Sequence, residues 1–431
     1  MKSVWQEEKL PEFPALQGEL HTDVLIIGGG IAGILTAYYL RRRGVDCVLV
    51  EKNRICSGNT GRTTGKITAQ HALNYHKIAK ARGLEGAEKY YRANVLALEE
   101  YARLCGGIDC DFQRKDNFVY TTDDREKLEK EMAVLDRIGA EAFLFDQVPL
   151  PVSAAGAICF PNQAQFHPLK FLRAVSGGLR ILEHTFVKEL AGSEAITQRG
   201  SIFAERIVCC THFLFINKHG LYPLKLYQHR SYVIGLENAQ QVNGMYVDEE
   251  AGGLSFRNQG DLLLLGGCGG RTGKPWDGWD ELRSFAINHY PQARERYFWA
   301  AQDCMSLDGM PYIGSYGRGT TNFYVETGFN KWGMTGAMTA ARVIADELTG
   351  VENPFSELFR PSRSMFQKQL WNNVKESGRN FLFRSPRTCP HLGCALKWNE
   401  AEHSWDCPCH GSRFSETGEV LDNPANGDMK V

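Results

Sequence analysis

The stretch Thr22–Lys52, TDVLIIGGGIAGILTAYYLRRRGVDCVLVEK, limits what this chain can become more than any other. Asp23–Ile27 is a short apolar run, suited to a buried parallel strand. Gly28, Gly30 and Gly33 follow as G-x-G-x-x-G at a strand-to-helix junction. The first glycine permits the tight turn, the second lets backbone approach a pyrophosphate, and the third lets helix and strand pack closely. The helix then aims its free N–H groups at the phosphates. Val45–Val50 reads as the next strand, and Glu51 ends it, where an acid can hydrogen-bond a ribose 2′-OH. Strand, glycine turn, helix, strand and acid together imply a dinucleotide site in a βαβ unit.

With 431 residues there is room for two or three domains. The 49 basic residues nearly balance the 50 acidic ones, which argues against a nucleic-acid surface. No N-terminal secretory pattern and no apolar run of the ~20 residues a membrane span needs are visible, so cytoplasm is the expected location. Of the thirteen cysteines, nine are scattered through the first 304 residues, as reduced buried thiols would be. Met1–His21 is expected to lie across the first domain. Ser57–His71 is glycine-rich and follows the βαβ unit directly, a place for close backbone approach to a ligand. Helices are predicted over Tyr75–Gly107, Asp123–Gly139 and Asp280–Tyr290, with another opening at His167-Pro168. Strands are predicted at Ala157–Phe160, Leu182–Leu190, Ile202–Cys210, Leu226–Leu236, Asp261–Leu265 and Asn322–Glu326. After the last comes GFNKWGMT, Gly328–Thr335, a second strand–glycine–helix junction whose helix N-terminus suits negative charge.

The pattern TDVLIIGGGIAG…VLVEK, then NTGRTTGK, DGMPYIG and TGFNKWGMTGAM, resembles the D-amino-acid-oxidase-like (glycine oxidase, sarcosine oxidase) FAD-dependent oxidoreductases over roughly residues 20–350. The resemblance implies FAD held by Gly28, Gly30, Ile31, Ala32, Gly33, Glu51 and Lys52. It also implies that the loop Thr60, Gly61, Arg62, Thr63, Thr64, Gly65 and Lys66 passes along the pyrophosphate and isoalloxazine. Val187 and Thr211 would lie near the cofactor, and Gly333, Met334 and Thr335 at the pyrimidine end of the flavin. In that family the substrate is oriented from the second sheet. The candidates here are Tyr227, Arg230, Tyr232 and Arg271, either arginine being able to hold a carboxylate in a fork or to serve a structural salt bridge. Asp308 would lie near the flavin or serve a turn.

The tail carries CPHLGC, Cys389–Cys394, and CPCHGS, Cys407–Ser412. Cys389, His391, Cys407 and His410 give C-x-H…C-x-x-H, which is unlike zinc-finger spacing and fits a Rieske [2Fe–2S] centre, with zinc the alternative. The motif resembles the Rieske proteins of cytochrome bc complexes. That resemblance implies a disulfide between Cys394 and Cys409 and a loop beside the cluster at Asn423-Pro424-Ala425. Only Phe381–Thr388 precedes the first ligand loop, so the module is expected to be minimal and to lean on the flavin domain. FAD followed by a C-terminal Rieske module resembles a known group of glycine/D-amino-acid-oxidase-like proteins, on segments such as CCTHFLFIN and TGFNKWGMT.

The expected architecture is α/β (α+β). A Rossmann-like FAD-binding domain (segments about 20–75, 155–214 and 300–355) would interleave with an antiparallel-sheet substrate domain (76–154 and 215–299). Residues 356–380 would form a helical linker and 381–431 an all-β Rieske module. The expected function is oxidation of a small amine or amino acid, with electrons passed singly to the cluster and out to an unknown acceptor through exposed cluster histidines. A plain FAD oxidase with a structural tail and a non-catalytic electron-transfer or redox-sensing protein are the alternatives.

Overall fold

The computed structural model describes residues 1–216, 220–250, 252–317, 319–382, 385 and 387–430. The end of CCTHFLFIN at Asn217 and part of Phe381–Thr388 lie outside the described residues. The βαβ unit forms as read. Strand Leu20–Ile27 leads into helix Ile31–Arg42 and on to strand Cys47–Val50, which pairs with the first in parallel. Strand Ser201–Cys209 lies in parallel on the other side and Phe323–Thr327 beyond it. The sheet order is therefore Tyr312–Ser315, Phe323–Thr327, Ser201–Cys209, Leu20–Ile27, Cys47–Val50 and Ile181–Leu182. Sequence-distant segments thus converge on one doubly covered parallel core. Helix Ile31–Arg42 packs there against helix Gly333–Leu348, whose inner residues Ala337, Ala341, Ile344 and Ala345 are fully buried. Small side chains let the two helices approach closely.

The predicted strand Leu182–Leu190 is two strands, Ile181–Leu182 and Val187–Ala191. The break has a physical cause at Glu183. Its buried carboxylate accepts from the Ile55 and Phe13 N–H groups (2.7 and 3.1 Å) and from Arg54 Nε (3.0 Å), which pulls the chain out of the ladder. This also helps fasten the N-terminal segment across the domain, as does Trp5, fully buried with its indole N–H on the Thr63 carbonyl.

The second sheet has nine strands, in the order Arg294–Ser306, Leu226–Glu237, Leu262–Gly267, Ser255–Gln259, Met245–Asp248, Gln113–Thr121, Gly156–Gln165 and Lys66–Ile67, with Phe143–Phe145 paired to the side. It is antiparallel except where Met245–Asp248 meets Gln113–Thr121. A third sheet is small and wholly antiparallel: Lys397–Asn399, Ser404–Asp406, Arg413–Phe414 and Val420–Asp422. It packs around its own small core of Leu396, Phe414, Ala425, Met429 and the four tail cysteines. So small a core supplies little hydrophobic stabilisation, and the module leans on the larger domain instead.

Candidate functional site

Close packing dictates the glycines of the first turn. A Cβ on Gly33 would stand 2.0 Å from the Gly28 carbonyl oxygen, and one on Gly28 would stand 2.6 Å from that of Cys210. Glu51 closes the turn: its carboxylate accepts from the Gly29 N–H (2.8 Å) and the Asn53 N–H (2.9 Å). Burial pushes the Glu51 carboxyl up despite these donors. Thr60 reaches across the turn, its hydroxyl oxygen accepting from the Ile31 N–H at the start of the helix (3.0 Å). Together these groups open onto a cavity of about 1700 Å³. A small-ligand pocket is typically ~300–1,000 Å³, so there is room for a long cofactor and a substrate together.

Gly28, Gly30, Ile31, Ala32, Glu51, Lys52, Thr60, Arg62, Thr63, Thr64, Lys66, Val187, Thr211, Gly333 and Met334 all line this cavity. Gly33, Gly61, Gly65 and Thr335 stand behind the lining. Thr335 holds the Thr68 carbonyl (3.1 Å) and His71 Nε2 (3.0 Å). Sequence reasoning placed His71, Asn59 and Trp332 only within ligand-facing segments and missed Asp303. His71 stacks on Trp332 with ring centroids 4.9 Å apart, and burial lowers its pKa to about 3, which keeps it neutral. Asp303 is bonded to Asn59 (3.3 Å), and burial raises its carboxyl against the attraction of Lys331. The pairing of Asn59 with a residue so far along the chain left no local signal. A Gly33→Val chain is expected to lose bound flavin by at least about tenfold, because overpacking at backbone contact distance cannot relax; flavin absorbance per protein after purification checks this.

The strand Leu226–Glu237 decides the fate of the predicted substrate residues. Its side chains alternate, as strand geometry requires. Tyr227, His229 and Ser231 line the cavity. Gln228 and Arg230 face away, onto the C-terminal module. Arg230 therefore corrects the expectation of a substrate carboxylate: it is forked onto Glu402, with Nε to Oε1 at 2.8 Å and Nη2 on Oε2, and both side chains are buried. Arg271 is corrected in the same way. It donates to the carbonyls of Pro408 (3.0 Å) and Cys409 (3.0 Å) and to Asn373 (2.9 Å), while its guanidinium lies 5.0 Å from the Tyr227 ring. Neither arginine lines the cavity. Tyr232 does, but its ring is buried against Trp279 at 5.0 Å. Asp308 touches the cavity while held in a fork by Arg363 (2.7 and 2.8 Å).

The two tail loops are copies of one shape. The Cys389 N–H donates to the Cys394 carbonyl and Gly393 back to Cys389, both at 2.8 Å. Cys407 donates to Ser412, and Gly411 to Cys407, at the same distance. Gly393 and Gly411 hold φ of +83° and +85°, the left-handed turn each loop needs. The loops bring His391 and His410 together, ring centroids 4.9 Å apart at 87°. Both ring nitrogens of His391 and Nδ1 of His410 are buried without a hydrogen-bond partner. Burial lowers His391 to about 4 and His410 to about 3, so both are neutral imidazoles, the form that binds metal. Sγ atoms of Cys394, Cys407 and Cys409 lie within 4.8 Å of one another, and the Cys389 thiol meets Cys407. Two thiols that meet, Cys389 and Cys407, beside two unpartnered imidazoles fit a Rieske-type iron–sulfur cluster. Cys394 packs beside Cys409, the partner the resemblance implies, and beside Cys407.

The histidines are not exposed. His410 is buried and His391 half-buried, because the module docks histidines-first: Phe213 sets its ring edge-on to both, at 6.4 and 6.2 Å. Gln228 Nε2 donates to the His410 carbonyl (2.9 Å), and Gln302 Nε2 to that of Gly411 (2.8 Å). Asn423 donates to the carbonyls of Thr211 and Phe213, each at 2.6 Å. Leu421, Asp422, Asn423 and Ala425 line the same cavity as Gly28. Behind the loops, Arg413 gathers Glu402 (2.9 Å), Asp406 (3.0 Å) and Asp422 (3.0 Å).

Comparison with known proteins agrees with this geometry. The family described as FAD dependent oxidoreductase (DAO) matches residues 23–347, and the Rieske [2Fe-2S] domain matches residues 367–431, a span that takes in the helix Lys368–Leu382. A Bacillus subtilis protein named as a Rieske 2Fe-2S iron-sulfur protein, YhfW, is 35% identical over 98% of this chain and 95% of its own length. Gamma-glutamylputrescine oxidoreductase of Escherichia coli is 24% identical over 79% of this chain and 87% of its own. Glycine oxidase from Geobacillus kaustophilus shares the fold, with a TM-score of 0.65 at 21% identity, covering 80% of this chain and 99% of that one. The chain belongs to the DAO family of FAD dependent oxidoreductases and carries a Rieske [2Fe-2S] domain at its C-terminal end.

Proposed function

We propose that this oxidoreductase takes electrons from a small amine or amino acid and passes them one at a time between its two cofactors. FAD supplies two-electron acceptance from a C–H bond next to nitrogen, and the cluster supplies one-electron exchange. The observation that carries the reading is the shared strand Leu226–Glu237: Tyr227, His229 and Ser231 face the flavin cavity, and Gln228 and Arg230 face the cluster module. The cavity and the cluster module thus share the two faces of one strand, with Phe213 against both cluster histidines.

The residues of this chain do the positioning. Tyr227 and His229, rings 5.3 Å apart, form a wall against which a substrate can be oriented. Burial, then Lys331 and Arg271, lower His229 to about 3, so it meets a substrate as a neutral imidazole that can accept a hydrogen bond from an amine N–H but is too weakly basic to take its proton. The substrate class is supported by the relatives named for gamma-glutamylputrescine and glycine.

The test is an anaerobic screen of amines and amino acids that follows flavin bleaching by stopped flow and the reduced cluster by EPR. The expected result is bleaching first and a cluster signal after it. Bleaching with no cluster signal in iron-replete protein would leave an oxidase with a structural tail. No bleaching with any amine, but reduction by a protein partner, would leave an electron carrier. A Tyr227→Phe, His229→Ala protein is expected to lose at least about tenfold in the rate of bleaching while keeping its cluster EPR spectrum, because phenylalanine keeps the ring against Arg271 and Gln228 and Arg230 still hold the module.

A further inference from the structure

The helix Lys368–Leu382 is amphipathic with its faces reversed. Its inward face carries one apolar residue, Leu370, beside Asn373, Ser377 and Asn380, which are 8%, 1%, 9% and 4% exposed. These polar groups are engaged: Asn373 accepts from Arg271 and donates to the Leu224 carbonyl, and the Asn380 carbonyl accepts from the Ala395 N–H. Outward stand Trp371, Val374, Phe381 and Leu382, which are 69%, 41%, 49% and 86% exposed, with Phe366 at 82% just before the helix. Trp371, Val374, Phe381 and Leu382 fall on one stripe at helical spacing. A helix on a water-facing surface would place its asparagines outside and its tryptophan inside.

Charge identifies what covers the stripe. Lys368, Lys375 and Arg379 run along one edge of it, all exposed. The helix has one acid, Glu376, and it turns away to Lys274 (2.8 Å). An apolar stripe of Trp, Phe and Leu edged by cations matches the boundary between anionic headgroups and acyl chains. A second copy of the chain would bring the same cations and no acid to meet them.

We propose that this helix seats the protein on an anionic membrane surface, lying in the headgroup plane with Trp371, Val374, Phe381 and Leu382 in the acyl boundary. Gln367, Lys368, Gln369 and Asn372, at its first turns, line the same cavity as Gly28 and Lys331. Seating the helix therefore brings this wall of the cavity next to lipid.

The test is co-sedimentation of the full-length holoprotein with vesicles of phosphatidylcholine alone or mixed with phosphatidylglycerol. Pelleting with the mixed vesicles at low salt, weakened by added salt, is expected. Neutralising Lys368 and Lys375 to Gln is expected to weaken binding roughly 30-fold. Trp371→Ser with Leu382→Ser should weaken it at least about tenfold. Circular dichroism checks that each surface variant folds. Failure to pellet with the anionic vesicles overturns the proposal, as does binding unchanged in both variants. A solution dimer dissolved by the Trp371→Ser, Leu382→Ser pair, without vesicle binding, overturns it in favour of a second copy.

Discussion

An Arg413→Met protein is expected to lose about 3–5 kcal/mol of stability in its C-terminal module, the cost of leaving buried charge without a partner. Three carboxylates gather on this guanidinium, and of them Glu402 is also held by Arg230. The side chains of Glu402 and Asp406 are 0% and 1% exposed, and Asp422 is bonded at 3.0 Å. The small core of the module has no reserve to absorb such a loss. Hydrogen exchange across 397–422 would rise, and the Phe213 contact with His391 and His410 would be released; exchange equal to wild type would refute the expectation. The same groups set a pH dependence. Burial alone would raise Asp422, but Arg413, Arg230 and Arg62 override it and hold the carboxyl well below the ordinary range. Glu402 is also lowered, by Arg230 and Arg413 against burial. A depressed folded pKa gives stability that is present above the unfolded value of ~4 and is lost as pH falls below it. The module of the wild-type protein should therefore loosen below about pH 4, while Arg413→Met, which lacks much of that stabilisation already at neutral pH, should show a smaller further loss in acid.

Glu326→Gln should have the opposite sign and a comparable size. Glu326 is fully buried on strand Phe323–Thr327, beneath the helix that follows the first glycine turn. Thr36 Oγ1 donates to its Oε1 (2.6 Å), while Oε2 has no partner. Burial raises its pKa to about 8, against the contributions of Thr36 and Cys210. The folded state thus keeps a proton that the unfolded chain releases near pH 4.5. Stability falls as pH rises between those two values, by up to about 4 kcal/mol. Glutamine keeps the acceptor for Thr36 and cannot ionise. The variant should match wild type near pH 5 and exceed it by up to about 4 kcal/mol at pH 8, with a flat profile between. Denaturant melts across that range provide the check, and parallel curves for the two proteins would show that Glu326 is not the proton holder.

The parts of this molecule legible in its sequence are those whose chemistry is local. Thr22–Lys52 announces its strand, turn, helix and acid within one contiguous stretch, and the tail loops carry their ligand types in six residues each. The long helices Tyr75–Cys105 and Arg125–Arg137 end within two residues of the predicted limits. What was not legible depends on partners far along the chain. Arg230 looks like a substrate clamp until Glu402 is placed against it, and strand alternation alone cannot say which face meets which ligand. Glu183 breaks a strand for the sake of Phe13 and Ile55. The cluster histidines look solvent-facing until Phe213 is found covering them.

The alternation along Leu226–Glu237 also bears on how such a protein can diversify. Tyr227, His229 and Ser231 can be exchanged to suit a new ligand while Gln228 and Arg230 keep the cluster module in place. From Tyr227 to Ser231, parity of position separates the two selections. A lineage that changes His229 or Ser231 keeps the module's anchors, and one that changes Gln228 or Arg230 risks losing the electron carrier without touching the cavity.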